Sequence, residues 1–270
     1  MAAPYFGLHP DGIWRVPLQK TDATMQSAGG IMTTPRDAAR WMLLQINDGK
    51  LEGRQLFDAD LIRESHRSRV TPTDPVHDLF GLTGCGLGWL QGSCADQTIL
   101  YHTGGYPGFR SLISFMVEPR IGVAVFVNEG SLGGRLMEPL AARIYKWWLG
   151  AELASPDEAI AGFLSLRDQY AKAIDADFAR RRQRSWHLEA DPSAYLGDYE
   201  NEDLGTLHIA RQDSSFAVSL GLMHCVAEPY TEPNSMRVEL MPGRGEPLVF
   251  DLTDEEVVSV EYDGIRFRKQ

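Results

Sequence analysis

The chain has no apolar run near the roughly 20 residues that a membrane-crossing helix needs. Met1 to Lys20 also lacks the basic start and apolar centre of a secretory signal. Neither absence fixes a compartment, because a start lost by truncation would take its signal with it, and the localisation stays unknown at this level. Cysteine is scarce. Cys85, Cys94 and Cys225 are too few for a disulfide framework; Cys85 and Cys94 can pair across a hairpin, but free, partly buried thiols are the expected state. His208, His224 and Cys225 lack the spacing of a metal motif and read as strand-face or loop residues. The stretch Gly84-Cys85-Gly86-Leu87-Gly88-Trp89 fails as a dinucleotide loop, since Trp89 stands where the third glycine belongs. No metal and no cofactor are therefore implied. No serine has the Gly-x-Ser-x-Gly surround of a nucleophile elbow. Nor does any serine stand one helical turn before a lysine: Pro17, Asn47, Arg143 and Gln169 are among the residues found there, and none is serine.

What is present is an ordinary globular composition over 270 residues, 43% hydrophobic and 23% charged, enough for one large or two smaller domains. The formal charge of −11 is uneven. Residues 190–270 hold 16 Asp and Glu against 6 Lys and Arg, whereas residues 1–189 hold 21 against 20. An acidic tail repels phosphate backbones, so nucleic acid is not an expected partner. The one basic cluster, Arg180-Arg181-Arg182-Gln183-Arg184, ends a helical pattern and is expected to complement the helix C-terminus.

Local patterns then give the elements. Thr34 is a good N-cap, Pro35 suits the first helical position, Asp37 sits in the first turn, and Asn47-Asp48-Gly49 supplies a stop. A second short helix is expected over Ala59 to Ser68, before a proline-broken loop from Val70 to His77. Gly86 to Leu90, Thr98 to Thr103, Ser111 to Val117 and Val123 to Asn128 read as an antiparallel meander. Leu136 to Leu149 reads as a helix that lies on that sheet through Leu136, Leu140, Ile144, Trp147 and Trp148. Ala151 to Arg184 reads as a polar helical linker. From Asp191 the period is two: Tyr195 to Tyr199, Thr206 to Arg211, Phe216 to Leu220, Met236 to Met241, Leu248 to Leu252, Val257 to Tyr262 and Ile265 to Arg268 are short strands spaced as in a small barrel or sandwich.

The segment Tyr101-His102-Thr103-Gly104-Gly105-Tyr106-Pro107-Gly108-Phe109 carries the chemistry. An apolar strand runs into a small, glycine-paired stretch, as if one edge had been cleared for a substrate to lie against the backbone. Three blocks occur in order: Ala28-Gly29-Gly30-Ile31-Met32-Thr33-Thr34-Pro35-Arg36-Asp37, then Gly86-Leu87-Gly88-Trp89, then His102 to Phe109 closing with Val125-Phe126-Val127-Asn128. Together they resemble the serine β-lactamase and penicillin-binding-protein superfamily, in its class C-related branch. Residues 190–270, with Tyr195-Leu196-Gly197-Asp198-Tyr199 and Gly205-Thr206-Leu207, resemble the lipocalin-like barrel that follows the hydrolase domain in some members.

The resemblance implies an α/β (α+β) fold. Residues 1–150 would form the C-terminal half of a β-lactamase-like domain, an antiparallel sheet with covering helices; residues 151–189 a helical linker; residues 190–270 a small all-β barrel. It also implies acyl transfer through a serine ester, hydrolysing an amide or ester in the manner of a peptidase, esterase or β-lactamase. His102 then matches the basic position of the third family motif, Thr103 the hydroxyl that meets a substrate carboxylate or carbonyl, and Gly105 one oxyanion donor, with Gly104 and Tyr106 lining the substrate. The second oxyanion donor belongs to the nucleophile, which in the family precedes the Gly-Gly-Ile block by a long stretch; this chain is read as beginning too late to contain it. Tyr199-Glu200-Asn201 is a Tyr-x-Asn by composition but opens a turn in the tail. The expectations are a truncated hydrolase, inactive alone; a subunit completed by a chain carrying the missing N-terminal half, or a homo-oligomer; or a binding protein without chemistry. The partner common to all three is a small-molecule or peptide substrate, with no membrane span. Family members are often periplasmic or secreted.

Overall fold

The computed structural model describes residues 2–8, 12–18, 29–72 and 80–270. Ala28 and most of the loop from Val70 to His77 lie outside them. The chain divides into two compact units, one of Met1–Tyr5 with Lys20–Arg167, the other of Phe6–Gln19 with Asp168–Gln270.

The first unit opens with helix α1, Pro35–Ile46. Thr34 is extended, at φ −108° and ψ 159°, and its hydroxyl accepts from the Asp37 N–H at 3.2 Å, so the cap read from the sequence is made. Asp48 and Gly49, both at positive φ, then turn the chain. Helix α2 spans Ala59–His66, and its last residue reaches back to α1: His66 Nε2 is 2.8 Å from Gln45 Oε1.

The sheet follows as β1 Gly84–Cys85, β2 Leu90–Cys94, β3 Gln97–Tyr106, β4 Phe109–Met116 and β5 Ile121–Val127, antiparallel and in chain order. The predicted strand over Gly86 to Leu90 is corrected: residues 86–89 form the connection between β1 and β2, where Gly88 at φ +82° suits a bend better than a ladder. Alternation along β3 and β4 sends side chains to two covered faces. On one, Leu100 and Phe115 pack with Trp89 under Met42 and Ile46 of α1. On the other, Ile99, Tyr101, Leu112 and Val123 pack under helix α3, Gly133–Trp148.

The predicted contact face of α3 is also corrected. Met137, Ala141, Ala142 and Tyr145 are buried, whereas Leu140, Ile144, Trp147 and Trp148 are exposed, Trp147 by 66%. The sheet already supplies the large residues, so small alanines let the helix approach closely. Tyr145 then reaches between strands: its hydroxyl is 2.9 Å from Ser114 Oγ, which donates to the Val123 carbonyl at 3.0 Å. Burial pushes the Tyr145 phenol well above its ordinary range.

Helix α4, Pro156–Arg181, begins in the first unit and ends in the second. Its last residue does more than complement the helix end. The Arg181 guanidinium is buried, with Nη1 3.0 Å from Glu228 Oε2, and Arg237 shares Glu228 and Glu239 with it.

The second unit contains β6 Gly197–Asn201, β7 Gly205–Gln212, β8 Ser215–Leu220, β9 Met223–Val226, β10 Glu228–Pro229, β11 Ser235–Met241, β12 Arg244–Thr253, β13 Glu256–Tyr262 and β14 Ile265–Lys269. They form one antiparallel sheet in the order β9-β8-β7-β6-β14-β13-β12-β11-β10. Its far strands approach where β9 comes beside β11, so the sheet is nearly a closed barrel. Inward residues alternate as period two requires: Leu207 and Ile209, Phe216, Val218 and Leu220, Val260, and Phe267 are all buried in one core. The predicted strand over Tyr195 to Tyr199 is corrected to a 3₁₀ turn, Pro192–Tyr195, followed by β6. Asp191 caps that turn by accepting from the Ser193 N–H at 2.8 Å, and the Tyr195 hydroxyl donates to Asn234 Oδ1 at 2.6 Å.

Candidate active site

Strand β3 outruns its neighbour. Its pairing with β2 ends at Leu90 opposite Tyr101, whereas its pairing with β4 continues to Tyr106 opposite Phe109. From His102 to Tyr106, β3 therefore has a partner on one side and, among the described residues, no strand on the other.

The register says which groups face that edge. Tyr106 and Phe109 close a two-residue hairpin over Pro107 and Gly108, the latter at φ +75° as a type II turn requires. Such a closing pair exchanges both hydrogen bonds, and alternation makes Gly105–Arg110 and Thr103–Leu112 the pairs that exchange none. The N–H and C=O groups of Thr103 and Gly105 thus point away from β4, toward the open edge. The edge therefore offers backbone donors and acceptors held in place by the ladder with β4.

The same alternation separates the side chains. His102 lies on the sheet face of Leu100 and Phe115, and Thr103 on that of Tyr101 and Leu112, so imidazole and hydroxyl flank the edge from opposite sides. Both are exposed, as are Gly104 and Gly105, while Tyr106 is half-buried.

The glycines leave room for side chains of the neighbouring strand. A Cβ on Gly105 would lie 2.7 Å from Arg110 Nη1, and one on Gly104 2.5 Å from Ser111 Oγ. The first contact reveals a residue that the sequence reading missed: the Arg110 guanidinium lies over Gly105. Its stem runs beside Gly134 in the first turn of α3, and its Nη1 donates to the Phe109 carbonyl at 3.3 Å. The available signal was positional, since Arg110 directly follows the hairpin and faces the second glycine.

The turn itself is braced from the chain's start. Tyr5 N–H donates to the Asn128 carbonyl at 3.0 Å, and Gly130 N–H donates to the Tyr5 carbonyl at 2.9 Å. A Cβ on Gly108 would sit 2.4 Å from Pro4 Cβ. Glu129 caps α3 by accepting from the Leu132 and Gly133 N–H groups at 2.8 and 2.7 Å. The first amides of that helix are thus already partnered.

Tyr199-Glu200-Asn201 lies in the second unit, and its polar groups are engaged there. Tyr199 is fully buried with its hydroxyl donating to the Tyr195 carbonyl at 2.8 Å, and Asn201 bonds the backbone of its own turn. Cys85, Cys94 and Cys225 are free thiols.

Comparison with known proteins places these features. The family model described as Beta-lactamase matches residues 3–145, more than half of the chain. The chain belongs to the β-lactamase family. The match includes all three blocks and the β3 edge, and it makes the first unit part of a serine-hydrolase-like superfamily domain. Among solved structures, the octameric penicillin-binding protein homologue from Pyrococcus abyssi is 17% identical over 99% of this chain and 53% of that one, with a TM-score of 0.46. SurE, alone and with D-Leu, is 16% identical over 85% of this chain and 47% and 49% of those, with TM-scores of 0.32. The chain spans about half the length of these solved relatives. No curated protein matches it.

Proposed function

We propose that this chain is the C-terminal part of a serine hydrolase that cleaves an amide or ester through an acyl-enzyme, and that it contributes the substrate edge rather than the nucleophile. The observation that carries the reading is the open side of β3, where the Thr103 and Gly105 backbone groups face outward. In this reading a serine with its lysine base, outside these 270 residues, attacks the carbonyl. The Gly105 N–H holds the oxyanion together with the nucleophile's own N–H. His102 stands on one side of the edge as a proton-handling or hydrogen-bonding group, Thr103 contacts the substrate from the other, and Gly104 and Tyr106 line it. Arg110, over Gly105, supplies positive charge for an anionic group beside the reacting carbonyl. Substrates are of the peptidase, esterase or β-lactamase type. Residues 1–150 then act as the catalytic-domain half, 151–189 as a linker, and 190–270 as a lipocalin-like barrel serving access or stability.

The absence of Ser-x-x-Lys from the sequence favours a second reading, a binding protein that keeps the groove without chemistry, or a subunit completed by another chain. One experiment separates these. The pure chain is incubated with a fluorescent penicillin and a fluorophosphonate and its intact mass is read, with no adduct expected; a stoichiometric serine adduct refutes the division of labour. The chain is then combined, in cis or in trans, with a family half that carries Ser-x-x-Lys, and ester hydrolysis is followed. Activity that depends on His102 and Thr103 supports the hydrolase. A half that joins without giving activity supports the binding reading.

A further inference from the structure

A row of four outward-facing side chains crosses four strands of the second unit. The register sets Asp198 on β6 opposite His208 on β7, His208 opposite Ser219 on β8, and Ser219 opposite His224 on β9. Their chain neighbours Tyr199, Leu207, Ile209, Val218 and Leu220 are buried in the core, so the four lie on the outer face. Strands are about 4.8 Å apart, which puts the α carbons of His208 and His224 about 10 Å apart with only the small Ser219 between them. Two imidazoles leaning over a serine can close on an ion held about 2.1 Å from each nitrogen. Both histidines border one shallow cavity of about 270 Å³, whose lining also includes Ala217 and Ser219.

Asp198 completes the pattern. Its carboxylate is hydrogen-bonded to His208 Nδ1, which leaves Nε2 as the outward nitrogen. A metal-binding histidine is commonly oriented by a carboxylate on its other nitrogen, which also raises its basicity. Cys225 is excluded from the site. It also borders the cavity, but it pairs with the inward Val218 and packs against the core, on the opposite face of β9 from His224. Among the described residues no three His, Cys, Asp or Glu side chains converge on one point, so solvent must fill the remaining positions. The 190–270 segment is strongly acidic, which raises the local cation concentration.

We propose that His208 and His224 bind one late first-row divalent ion on the outer face of the barrel, with Asp198 as the positioning residue for His208. Fifteen residues lie between the two histidines, so no motif marks them; the strand register brings them together. The open coordination makes this an exchangeable site, with affinity in the order Cu²⁺ above Zn²⁺ and Ni²⁺.

The test uses the full chain, stripped with a chelator and titrated with Cu²⁺, with the bound ion read by electron paramagnetic resonance. One equivalent is expected, with superhyperfine splitting from two nitrogens. His208→Ala and His224→Ala should each lose one nitrogen and most of the affinity, and the size-conserving His224→Gln should behave like His224→Ala. Asp198→Asn should keep two nitrogens but bind about 10- to 100-fold more weakly. His187→Ala should change nothing. The proposal is overturned if the native chain takes up no stoichiometric ion, if both single alanine variants keep the two-nitrogen spectrum, or if the spectrum arises only as copies of the chain associate.

Discussion

Replacing Arg181 by Met tests whether the end of α4 is held by charge or by shape. The side chain is 5% exposed and lies within ion-pair distance of three carboxylates: Asp177 at 2.9 Å, Glu228 at 3.0 Å and Glu239 at 3.6 Å. Methionine keeps the aliphatic stem and the packing on Phe178, over whose ring the guanidinium carbon sits at 3.8 Å. Breaking a fully buried pair costs about 3–5 kcal/mol, because a charge is left without compensation. Here the loss is softened twice. Asp177 and Glu228 are 40% and 37% exposed, so water screens them, and Arg237 stays 2.9 Å from Glu239 and 3.4 Å from Glu228. The expected cost is therefore about 2 kcal/mol, from the cited range discounted for exposure and the second arginine. Native-state hydrogen exchange at Val218 and Val260, both in the second unit's core, reads that unit's opening free energy. Adding Arg237→Met should cost more than the two single changes together, since each arginine covers for the other. If Arg181→Met shifts protection by less than about 0.5 kcal/mol, the ordinary scale of a neutral surface change, the network does not hold the helix.

The reconstituted hydrolase should lose about 10²- to 10³-fold in ester turnover with His102→Ala or Thr103→Val, the scale of one transition-state contact, and full activity in both would remove the edge from the mechanism. Gly108→Ala should destabilise the first unit by about 2–4 kcal/mol, joining a positive-φ penalty to a clash with Pro4, and urea unfolding measures it. Burial lowers the His66 pKa, opposed by the nearby Asp48 carboxylate, while the unfolded value is about 6.5. The neutral ring therefore contributes stability that is fully present above about pH 6.5 and lost as pH falls through the folded value. His66→Gln should flatten the urea midpoint between pH 7 and 5; an unchanged slope refutes the assignment.

The meander was legible because its turns announce themselves in Glu118 to Gly122 and in Pro107-Gly108, and α1 because Thr34, Pro35 and Asp37 each favour a helix start for a separate reason. Helix α3 was legible as a helix but not in orientation. Hydrophobicity selects Leu140, Ile144, Trp147 and Trp148, whereas the sheet selects whatever lets the helix come close, and only the packed structure decides between them. Gly86 to Leu90 and Tyr195 misled for a local reason: apolar residues beside a bend carry the composition of a strand without its ladder. At the candidate site, the sequence singles out the glycine-paired segment by motif. It does not show that His102 and Thr103 lie on opposite faces, which follows from pairing parity, or that Arg110 reaches Gly105, which depends on a cross-strand neighbour.

That parity has a stereochemical consequence. A substrate laid along the open edge of β3 presents one face to an imidazole and the other to a hydroxyl and a guanidinium, so the two mirror-image forms of a chiral centre beside the carbonyl meet different chemistry. Under the proposed assignment, discrimination of handedness follows from the alternation of side chains along the strand and needs no shaped pocket. The imidazole and the hydroxyl are carried on neighbouring positions of one strand, whereas the guanidinium comes from Arg110 across the ladder, so exchanging side chains between positions 102 and 103 alone leaves the guanidinium on its original face.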